Sequence, residues 1–239
     1  MNTEFPPVSS ALVALSGGVD SAVLLHLAAE SGIRVEAAVI VSEFLPSREL
    51  EAAEAAAERE GVKLHIIRHA FLADSAICAN PENRCYLCKK TIASLLCACA
   101  SAQHLDAVFE GTNASDGIRP GKRALEESGI FSPLLSVSKQ EIIAYAKSHK
   151  IPVHPPSACL ATRIPAGTPI SAKLLHLADA AETCLRDAGI RGILRVRVSE
   201  DSHAVIEVEA GELETAKLCA EKCIPIGITV DDVTVYGRS

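Results

Sequence analysis

The spacing of apolar residues switches several times between short runs and helical periodicity along this chain of 239 residues. Short apolar runs predict buried strands, and longer stretches with apolar residues three and four positions apart predict helices. The elements predicted in the larger part of the chain are strands at 11–15, 34–41, 62–67 and 105–110 and helices at 19–30, 47–60, 85–102 and 138–149. Because strands alternate with helices, we expect an α/β fold with a doubly wound parallel sheet.

The pattern changes near residue 168. The elements predicted beyond it are a helix at 171–188, a hairpin-like pair at 193–199 and 203–209, a helix at 211–223 and a strand at 228–236. This αββαβ order predicts a small α+β domain at 169–239, behind a larger α/β domain at 1–168. Three leucines of the first helix exceed what one helix face needs, so we expect a homo-oligomer interface there; they are Leu174, Leu175 and Leu177.

A Ser-Gly-Gly-Val-Asp-Ser sequence joins the first predicted strand to the first helix, and it consists of Ser16, Gly17, Gly18, Val19, Asp20 and Ser21. Two glycines let the backbone approach a phosphate, and the start of a helix aims unpaired N–H groups at an anion. The serines add hydroxyl donors, and Asp20 is a candidate ligand for Mg²⁺. A Walker loop is excluded because no Gly-Lys-Ser/Thr follows. The six residues resemble the signature of the PP-loop ATP-pyrophosphatases, which split ATP into AMP and pyrophosphate.

A second candidate nucleotide contact follows the fourth predicted strand. Gly111, Thr112 and Asn113 come directly after it, and Asp116 is a candidate second carboxylate for magnesium. Ligands of open α/β sheets bind at the carboxyl ends of the strands. We therefore expect this segment to meet the Ser-Gly-Gly-Val-Asp-Ser loop.

Composition limits the possible partners and location. The formal net charge is −7 and Trp is absent, which argues against a nucleic-acid partner because such partners need basic surfaces and stacking platforms. No apolar run approaches the roughly 18–20 residues of a membrane span. The first ten residues lack the features of a secretory signal. We expect a cytoplasmic protein with a small-molecule substrate and no membrane or nucleic-acid partner.

Seven of the nine cysteines fall into two classes. Cys85 and Cys88 make a C-x-x-C at the start of a predicted helix, a spacing shared by redox pairs, zinc half-sites and iron–sulfur half-sites. Cys159 is the strongest further ligand and is also a candidate nucleophile, with Arg163 placed to lower its pKa. Cysteines that lie among Ala and Leu in predicted helices are expected to pack as small hydrophobes; they are Cys97, Cys184, Cys219 and Cys223.

The motifs together resemble those of the LarE family of ATP-dependent sulfur transferases. In chain order they are Ser-Gly-Gly-Val-Asp-Ser at 16–21, Asn-Pro-Glu-Asn-Arg-Cys-Tyr-Leu-Cys-Lys at 80–89, Gly-Thr-Asn with Asp116, Arg-Pro-Gly-Lys-Arg-Ala at 119–124, Ser-Ala-Cys-Leu-Ala-Thr-Arg-Ile-Pro at 157–165 and Leu-Arg-Val-Arg at 194–197. The resemblance implies that ATP adenylates the carboxylates of pyridinium-3,5-biscarboxylic acid mononucleotide, which become thiocarboxylates of the nickel-pincer nucleotide.

The resemblance also implies roles for individual residues. Family members either sacrifice the sulfur of the cysteine matching Cys159 or carry three cysteines and a 4Fe-4S cluster, and the presence of Cys85 and Cys88 favours the cluster type. Arg195 and Arg197 are expected to hold the substrate phosphate, since alternate residues of a strand point the same way. Arg123 and Arg163 are candidate cations for ATP or substrate. The expected cofactors are ATP, Mg²⁺ and the cluster, and the sulfide donor is left open.

Three other functions share part of this pattern. A tRNA thiolase has the same loop and three cysteines, but it needs a basic tRNA-binding face that the acidic balance of this chain disfavours. An amidating synthetase that uses ammonia does not need Cys85, Cys88 and Cys159. A nucleotide-binding module without activity needs neither Asp20 nor the clustered cysteines.

Overall fold

The computed structural model describes residues 3–117, 120–155 and 157–237. Arg119, which belongs to one of the motifs above, lies outside the described residues, as does the side chain of Cys223. The chain forms two compact units. The first consists of residues up to Ser42 with Ser47–His69 and Asn83–His154, and the second consists of Glu43–Pro46, Ala70–Glu82 and the residues from Pro155 onward. The predicted boundary at residue 168 therefore falls inside the second unit.

Seven strands and eight α-helices are assigned over the described residues. The strands are β1 (Ser10–Leu15), β2 (Arg34–Val41), β3 (Leu64–Arg68), β4 (Ala107–Phe109), β5 (Leu194–Val198), β6 (His203–Val208) and β7 (Thr229–Val235). The helices are α1 (Val19–Glu30), α2 (Ser47–Glu60), α3 (Ser75–Cys78), α4 (Arg84–Ala102), α5 (Pro120–Glu127), α6 (Lys139–Ser148), α7 (Ala172–Asp187) and α8 (Leu213–Cys219). Short 3₁₀ helices lie at Phe71–Ala73, Leu160–Arg163, Ala210–Glu212 and Ala220–Ile226.

The first unit contains the parallel sheet, with strand order β3-β2-β1-β4. Leu12 of β1 packs in one cluster with Ala93 and Leu96 of α4, so α4 covers one face. Ala11 and Val13, which point to the opposite face, are also fully buried. Both faces are thus covered, as the continuous apolar sequence of β1 predicts. The predicted α/β fold with a parallel sheet is confirmed.

Helix α4 qualifies the expectation about membrane spans. Its 19 residues are long and apolar enough to span a bilayer by length and composition, and 17% of its apolar 18-residue segment is buried. A core helix of a folded domain passes the same test, so one such helix is weak evidence for a membrane. Here α4 contributes Ala93, Leu96 and Ala100 to the core of the first unit.

The second unit contains a three-stranded sheet of order β5-β6-β7, in which β5 and β6 are antiparallel and β6 and β7 parallel. This agrees with the predicted αββαβ order, although the predicted helix at 211–223 is a short α8 flanked by 3₁₀ turns. The interface expected on α7 is wrong because its three leucines are buried within the protomer; Leu174 and Leu175 are 3% exposed and Leu177 is 7% exposed.

Candidate functional site

The Ser-Gly-Gly-Val-Asp-Ser loop lies at the carboxyl end of β1 and leads directly into α1. Gly18 is the N-cap of α1 and makes no side-chain cap, so the first-turn N–H groups of α1 are left for another acceptor. The two serines close the loop on itself. The Ser16 amide donates to Ser21 Oγ at 3.2 Å, and Ser21 Oγ donates to the Gly18 carbonyl oxygen at 2.9 Å. The loop therefore presents backbone donors at the positive end of a helix, as an anion site requires.

Gly17 occupies a position that only glycine fits. Its φ is +78°, and an added Cβ would lie 2.5 Å from the carbonyl oxygen of Glu49 and 2.7 Å from its Cα. Helix α2 thus packs directly on the loop backbone. The sequence requirement for glycine at this position has two independent causes, the backbone conformation and the close approach of α2.

We expect Gly17→Ala to weaken ATP binding by about tenfold or more, which corresponds to about 1.4 kcal/mol or more. Gly32→Ala is the matched control, since Gly32 has φ +82° and no atom within 4 Å of an added Cβ. That variant should lose only the roughly 1–2 kcal/mol of stability that a positive φ costs. Calorimetric titration with ATP and thermal unfolding measure both effects. Equal ATP affinities in the two variants would contradict a role for the packing of α2 on the loop.

The segment after β4 meets the phosphate loop, as the sheet topology predicts. An added Cβ on Gly111 would lie 3.1 Å from the Ser21 amide nitrogen and 3.3 Å from Asp20 Cβ. Thr112 is hydrogen-bonded to a neighbouring residue in this segment. Its amide and its hydroxyl both donate to Glu110 Oε2, at 3.0 and 2.8 Å. Glu110 also accepts from the hydroxyl of Ser132.

Asp116 has a local partner in the structure. One oxygen of its carboxylate accepts a hydrogen bond from the amide of Asn113 at 3.1 Å, which closes a turn. Asn113 is 3% exposed, and its side-chain oxygen accepts from the Ser115 amide at 2.9 Å. The structure therefore gives Asp116 a role in shaping the turn, and its predicted role as a magnesium ligand stays a prediction.

Lys139 is a site residue that the sequence analysis missed. Its Nζ donates to both carboxylate oxygens of Asp20, at 2.6 and 2.7 Å, and both side chains are partly exposed. The Lys139 amide donates to Ser115 Oγ at 2.9 Å, so the turn after β4 holds the start of α6 in place. The loop of β1, the turn after β4 and the start of α6 thus converge on one carboxylate–ammonium pair.

The sequence around Lys139 indicates the start of a helix, but nothing in it indicates that Lys139 contacts Asp20. Ser138 and Glu141 form a capping box, which makes Lys139 the first residue of α6. A lysine in this place is unusual for helix stability, because the first turn favours acidic residues. Its placement near the positive end of a helix suggests a role with an anion.

A cavity of about 210 Å³ borders the loop within the first unit. Gly17 and Gly18 form part of its wall, alanines of α2 form another part, and three basic side chains complete it. These are Arg59, Lys150 and His154. The cavity adds positive charge on the α2 side of the loop.

Cys85 and Cys88 lie on the first turn of α4, Cys85 exposed and Cys88 partly buried. Helix α5 packs against this turn, because an added Cβ on Gly121 would lie 2.9 Å from Lys89 Cγ. Glu127 of α5 also holds the contact between α4 and α5. It accepts a hydrogen bond from Tyr86 of α4 at 2.6 Å and one from Arg123 of α5 at 2.7 Å. These two hydrogen bonds hold the pKa of Glu127 below its usual range. Arg123, predicted as a ligand contact, is therefore exposed and paired with Glu127.

The three cysteines of the predicted metal site are divided between the two units. Cys85 and Cys88 belong to the first unit and Cys159 belongs to the second. Among residues 3–117, 120–155 and 157–237 no three His, Cys, Asp or Glu side chains are grouped so that they could hold a metal ion. The 4Fe-4S cluster on Cys85, Cys88 and Cys159 therefore stays a prediction.

Cys159 is exposed and immediately precedes the 3₁₀ turn Leu160–Arg163 of the second unit. Several distant segments hold this turn. The Leu160 amide donates to the carbonyl oxygen of Phe44 at 2.9 Å, and Phe44 stacks on Phe71 at 5.2 Å. The buried Asn80 donates to the carbonyl oxygens of Pro165 and Thr168, at 2.8 and 3.0 Å.

Arg163 does not face solvent. It is fully buried and forms a bidentate ion pair with Glu182, at 2.5 and 3.0 Å. Its remaining guanidinium nitrogen donates to the carbonyl oxygen of Ala158 at 3.2 Å. The side chain offers no exposed atom to ATP or substrate, so the structure gives it a place in the scaffold beneath Cys159 instead of the predicted ligand contact.

Arg195 and Arg197 lie on the same face of β5, as the strand period predicts, while the residues between and beside them are buried. The Arg197 guanidinium donates to Glu207 at 2.7 Å and to the carbonyl oxygen of Thr162 at 3.1 Å. Arg195 lies 4.4 Å from the ring centroid of Tyr236, and its buried Nε finds no acceptor among the described residues. Burial and the neighbouring cations Arg163 and Arg197 lower the pKa of Arg195. Glu207, which lies opposite Arg195 in the register of β5 and β6, offsets part of this effect, and an anion would offset more of it.

Comparison with known proteins supports the assignment of the fold. The family model for queuosine biosynthesis protein QueC matches residues 10–83, which include the phosphate loop. The structure of NMN synthetase from Francisella tularensis is similar over 61% of this chain and 63% of that chain, with a TM-score of 0.51 and 21% identity. At this identity the likeness concerns the fold alone.

Two curated relatives match most of the chain. The uncharacterized protein slr1717 of Synechocystis is 35% identical over 217 residues, covering 88% of this chain and 80% of the relative. The uncharacterized protein MJ0830 of Methanocaldococcus jannaschii is 34% identical over 202 residues, covering 83% of this chain and 77% of the relative. The chain belongs to the family of slr1717 and MJ0830, within the PP-loop ATP-pyrophosphatase superfamily of ATP-using, adenylating enzymes.

Proposed function

We propose that this protein is an ATP-dependent sulfur transferase of the LarE type. It adenylates the carboxylates of pyridinium-3,5-biscarboxylic acid mononucleotide and converts them to thiocarboxylates. One observation carries the proposal: the exposed Cys159 begins a turn whose Thr162 carbonyl is bound by Arg197, one of two same-face arginines. The second unit thus holds a sulfur atom and a candidate phosphate anchor on one small scaffold.

The adenylation step belongs to the first unit. A substrate carboxylate oxygen attacks the α-phosphorus of ATP, the bond to the bridging oxygen breaks, and pyrophosphate leaves. The amides at the start of α1 and the ammonium of Lys139 stabilise the charge that develops on the leaving phosphates. Asp20 fits a magnesium ion, because this ion is commonly held by one or two carboxylates together with phosphate oxygens. Asp20 would hold this ion, and the ammonium of Lys139, which is bonded to both Asp20 oxygens at 2.6 and 2.7 Å, would add a positive charge beside it.

The sulfur step uses the thiolate of Cys159. Its Sγ attacks the acyl carbon of the adenylate and AMP leaves with the electron pair of the broken C–O bond. A base then removes the Cα proton of Cys159, the Cβ–Sγ bond breaks, and the substrate keeps the sulfur as a thiocarboxylate. The cysteine becomes dehydroalanine, so each chain supplies one sulfur atom by this route.

Arg195 and Arg197 are proposed to bind the phosphate of the substrate. Two guanidinium groups on one face of a strand match the several oxygens of a phosphate. The lowered pKa of Arg195 and its buried Nε, which has no acceptor among the described residues, support an anion-binding role. The stacking of Arg195 on Tyr236 fixes the direction of the guanidinium.

No step is derived through a 4Fe-4S cluster, because the described side chains do not group to hold one. Cys85 is exposed and Cys88 is half-buried, and the two residues are neighbours on one face at the start of α4. A cluster on these thiols would replace the sacrificial route with a catalytic one that takes sulfide from a donor. The experiment below separates the two routes.

We propose a cytoplasmic location and a small-molecule substrate. None of the eight cysteines whose side chains are described forms a disulfide, which suits a reducing compartment. The net charge of −7 disfavours tRNA as the substrate. A homo-oligomer stays a prediction, but its interface would not involve the leucines of α7, because they are buried.

The test is a single-turnover reaction of anaerobically purified protein with MgATP and pyridinium-3,5-biscarboxylic acid mononucleotide. We expect AMP, pyrophosphate and a thiocarboxylate product, with intact-protein mass spectrometry showing loss of H₂S at Cys159. A brown protein with the broad visible absorbance of a cluster, lost in Cys85→Ala, would move the proposal to the catalytic route. Absence of sulfur from the product under both conditions would reject sulfur transfer to this substrate.

A further inference from the structure

We propose that the buried pair Arg163–Glu182 is a positioning device that sets the place of Cys159 against the strand carrying Arg195 and Arg197. This inference rests on the proposed function, since it concerns the distance between the sulfur and the substrate phosphate. It assigns to Arg163 and Glu182 a role in geometry, without contact to substrate.

Arg163 holds the backbone on both sides of the Cys159 side chain. Its Nη1 donates to the carbonyl oxygen of Ala158 at 3.2 Å and to Thr162 Oγ1 at 2.9 Å. Thr162 Oγ1 in turn donates to the carbonyl oxygen of Cys159 at 2.8 Å. The two carbonyl groups that flank Cys159 Cα are therefore tied, directly or through one hydroxyl, to a single guanidinium.

Glu182 connects this guanidinium to the arginine strand. Its Oε1 accepts from Arg163 Nε at 2.5 Å and from the Val196 amide at 3.0 Å. Val196 is the residue between Arg195 and Arg197, so the carboxylate touches the middle of the Arg-x-Arg sequence. A second link closes the circuit, because Arg197 donates to the Thr162 carbonyl oxygen at 3.1 Å.

Stability alone is a poor explanation for such a pair. Removing two charges from water costs about as much as their attraction returns, and apolar residues of similar volume often replace buried pairs without loss. The Cys159 segment, in contrast, is irregular backbone whose polar groups need partners outside their own turn. Only arginine offers donors in three directions from one rigid plane, which this arrangement uses for Glu182, Ala158 and Thr162.

The test compares Arg163→Lys with the double variant Arg163→Met/Glu182→Leu. The lysine keeps the charge but not the fork, and the double variant keeps an apolar packed pair but none of the hydrogen bonds. Both should lower single-turnover sulfur transfer by about 10²-fold, the effect of a displacement of about 1 Å at a reacting atom. Thr183→Val, on the same helix but exposed, is the control and should behave as the unmodified protein.

A second measurement does not depend on sulfur transfer. The rate of Cys159 alkylation by iodoacetamide should change severalfold in both variants, because the backbone that places its side chain is released, while alkylation of the exposed Cys85 stays unchanged. A changed rate at Cys159 upholds the positioning role even where the protein makes no thiocarboxylate, which would count against the proposed function alone. A folded double variant with normal alkylation of Cys159 and, where sulfur transfer occurs, a normal rate would overturn the inference.

Discussion

Cys159→Ala is expected to abolish thiocarboxylate formation while adenylate and pyrophosphate still form in a single turnover. The sulfur step has no nucleophile without Sγ, whereas the groups proposed to cleave ATP lie in the first unit. The expected signature is a burst of pyrophosphate followed by slow hydrolysis of the adenylate. Quenched-flow assays of pyrophosphate and mass spectrometry of the nucleotide product measure the two halves separately.

Cys78→Ala is the matched control for this variant. Cys78 belongs to the same unit, but its thiol points to the carbonyl oxygen of Phe71 at 3.5 Å. Burial raises the pKa of the Cys78 thiol, which lowers its thiolate fraction near neutral pH. Sulfur transfer should therefore survive in Cys78→Ala. Thiocarboxylate formation at the normal rate in Cys159→Ala would show that the sulfur reaches the substrate without this residue.

Asp20→Asn and Lys139→Met are each expected to slow ATP cleavage by about 10²–10³-fold, the cost of removing one group that stabilises the developing charge. Asp20→Asn removes the magnesium ligand, so its defect should include a weaker dependence on Mg²⁺. Lys139→Met removes a cation from the triphosphate, so the KM for MgATP should rise. Steady-state release of pyrophosphate at varied Mg²⁺ and ATP measures these effects.

The double variant Asp20→Asn/Lys139→Met gives a sharper test, because the Lys139 ammonium donates to the two carboxylate oxygens of Asp20 at 2.6 and 2.7 Å. Contacting residues that act in one step show non-additive effects, so the double variant should lose less than the product of the single losses. Lys147→Met is the control, since Lys147 lies exposed in the last turn of the same helix. Independent, additive losses would indicate that the ion pair has no part in the ATP site.

The periodicity of the sequence predicted most elements of both units, and the misses have physical causes. Helix α5 has no counterpart among the predicted helices, because its segment is polar and begins with Pro-Gly, although that proline suits the first turn of a helix. The boundary predicted at residue 168 differs from the division into two units, because residues 43–46 and 70–82 join the second unit through long-range bonds. Examples are Leu160 with Phe44 and Asn80 with Pro165, which no local pattern reveals.

The candidate site shows the same division between local and long-range features. The phosphate loop and the same-face arginines of β5 follow from glycine conformation and the two-residue period of a strand, and both are local properties of the chain. The burial of Arg163 was not predictable from its motif, because its partner Glu182 lies 19 residues away on α7. From sequence alone, a charged residue near a reactive cysteine is interpreted as a ligand contact, because its partner in the fold is not known.

The sequence by itself determined the Ser-Gly-Gly-Val-Asp-Ser loop at the end of a buried strand, the α/β class and the pairing of Arg195 with Arg197 on one face. Only the tertiary structure decided that Asp20 is held by Lys139, 119 residues away, and that Arg163 belongs to the scaffold. Backbone preference and periodicity act over a few residues, whereas the partner of a charged side chain depends on how distant segments pack.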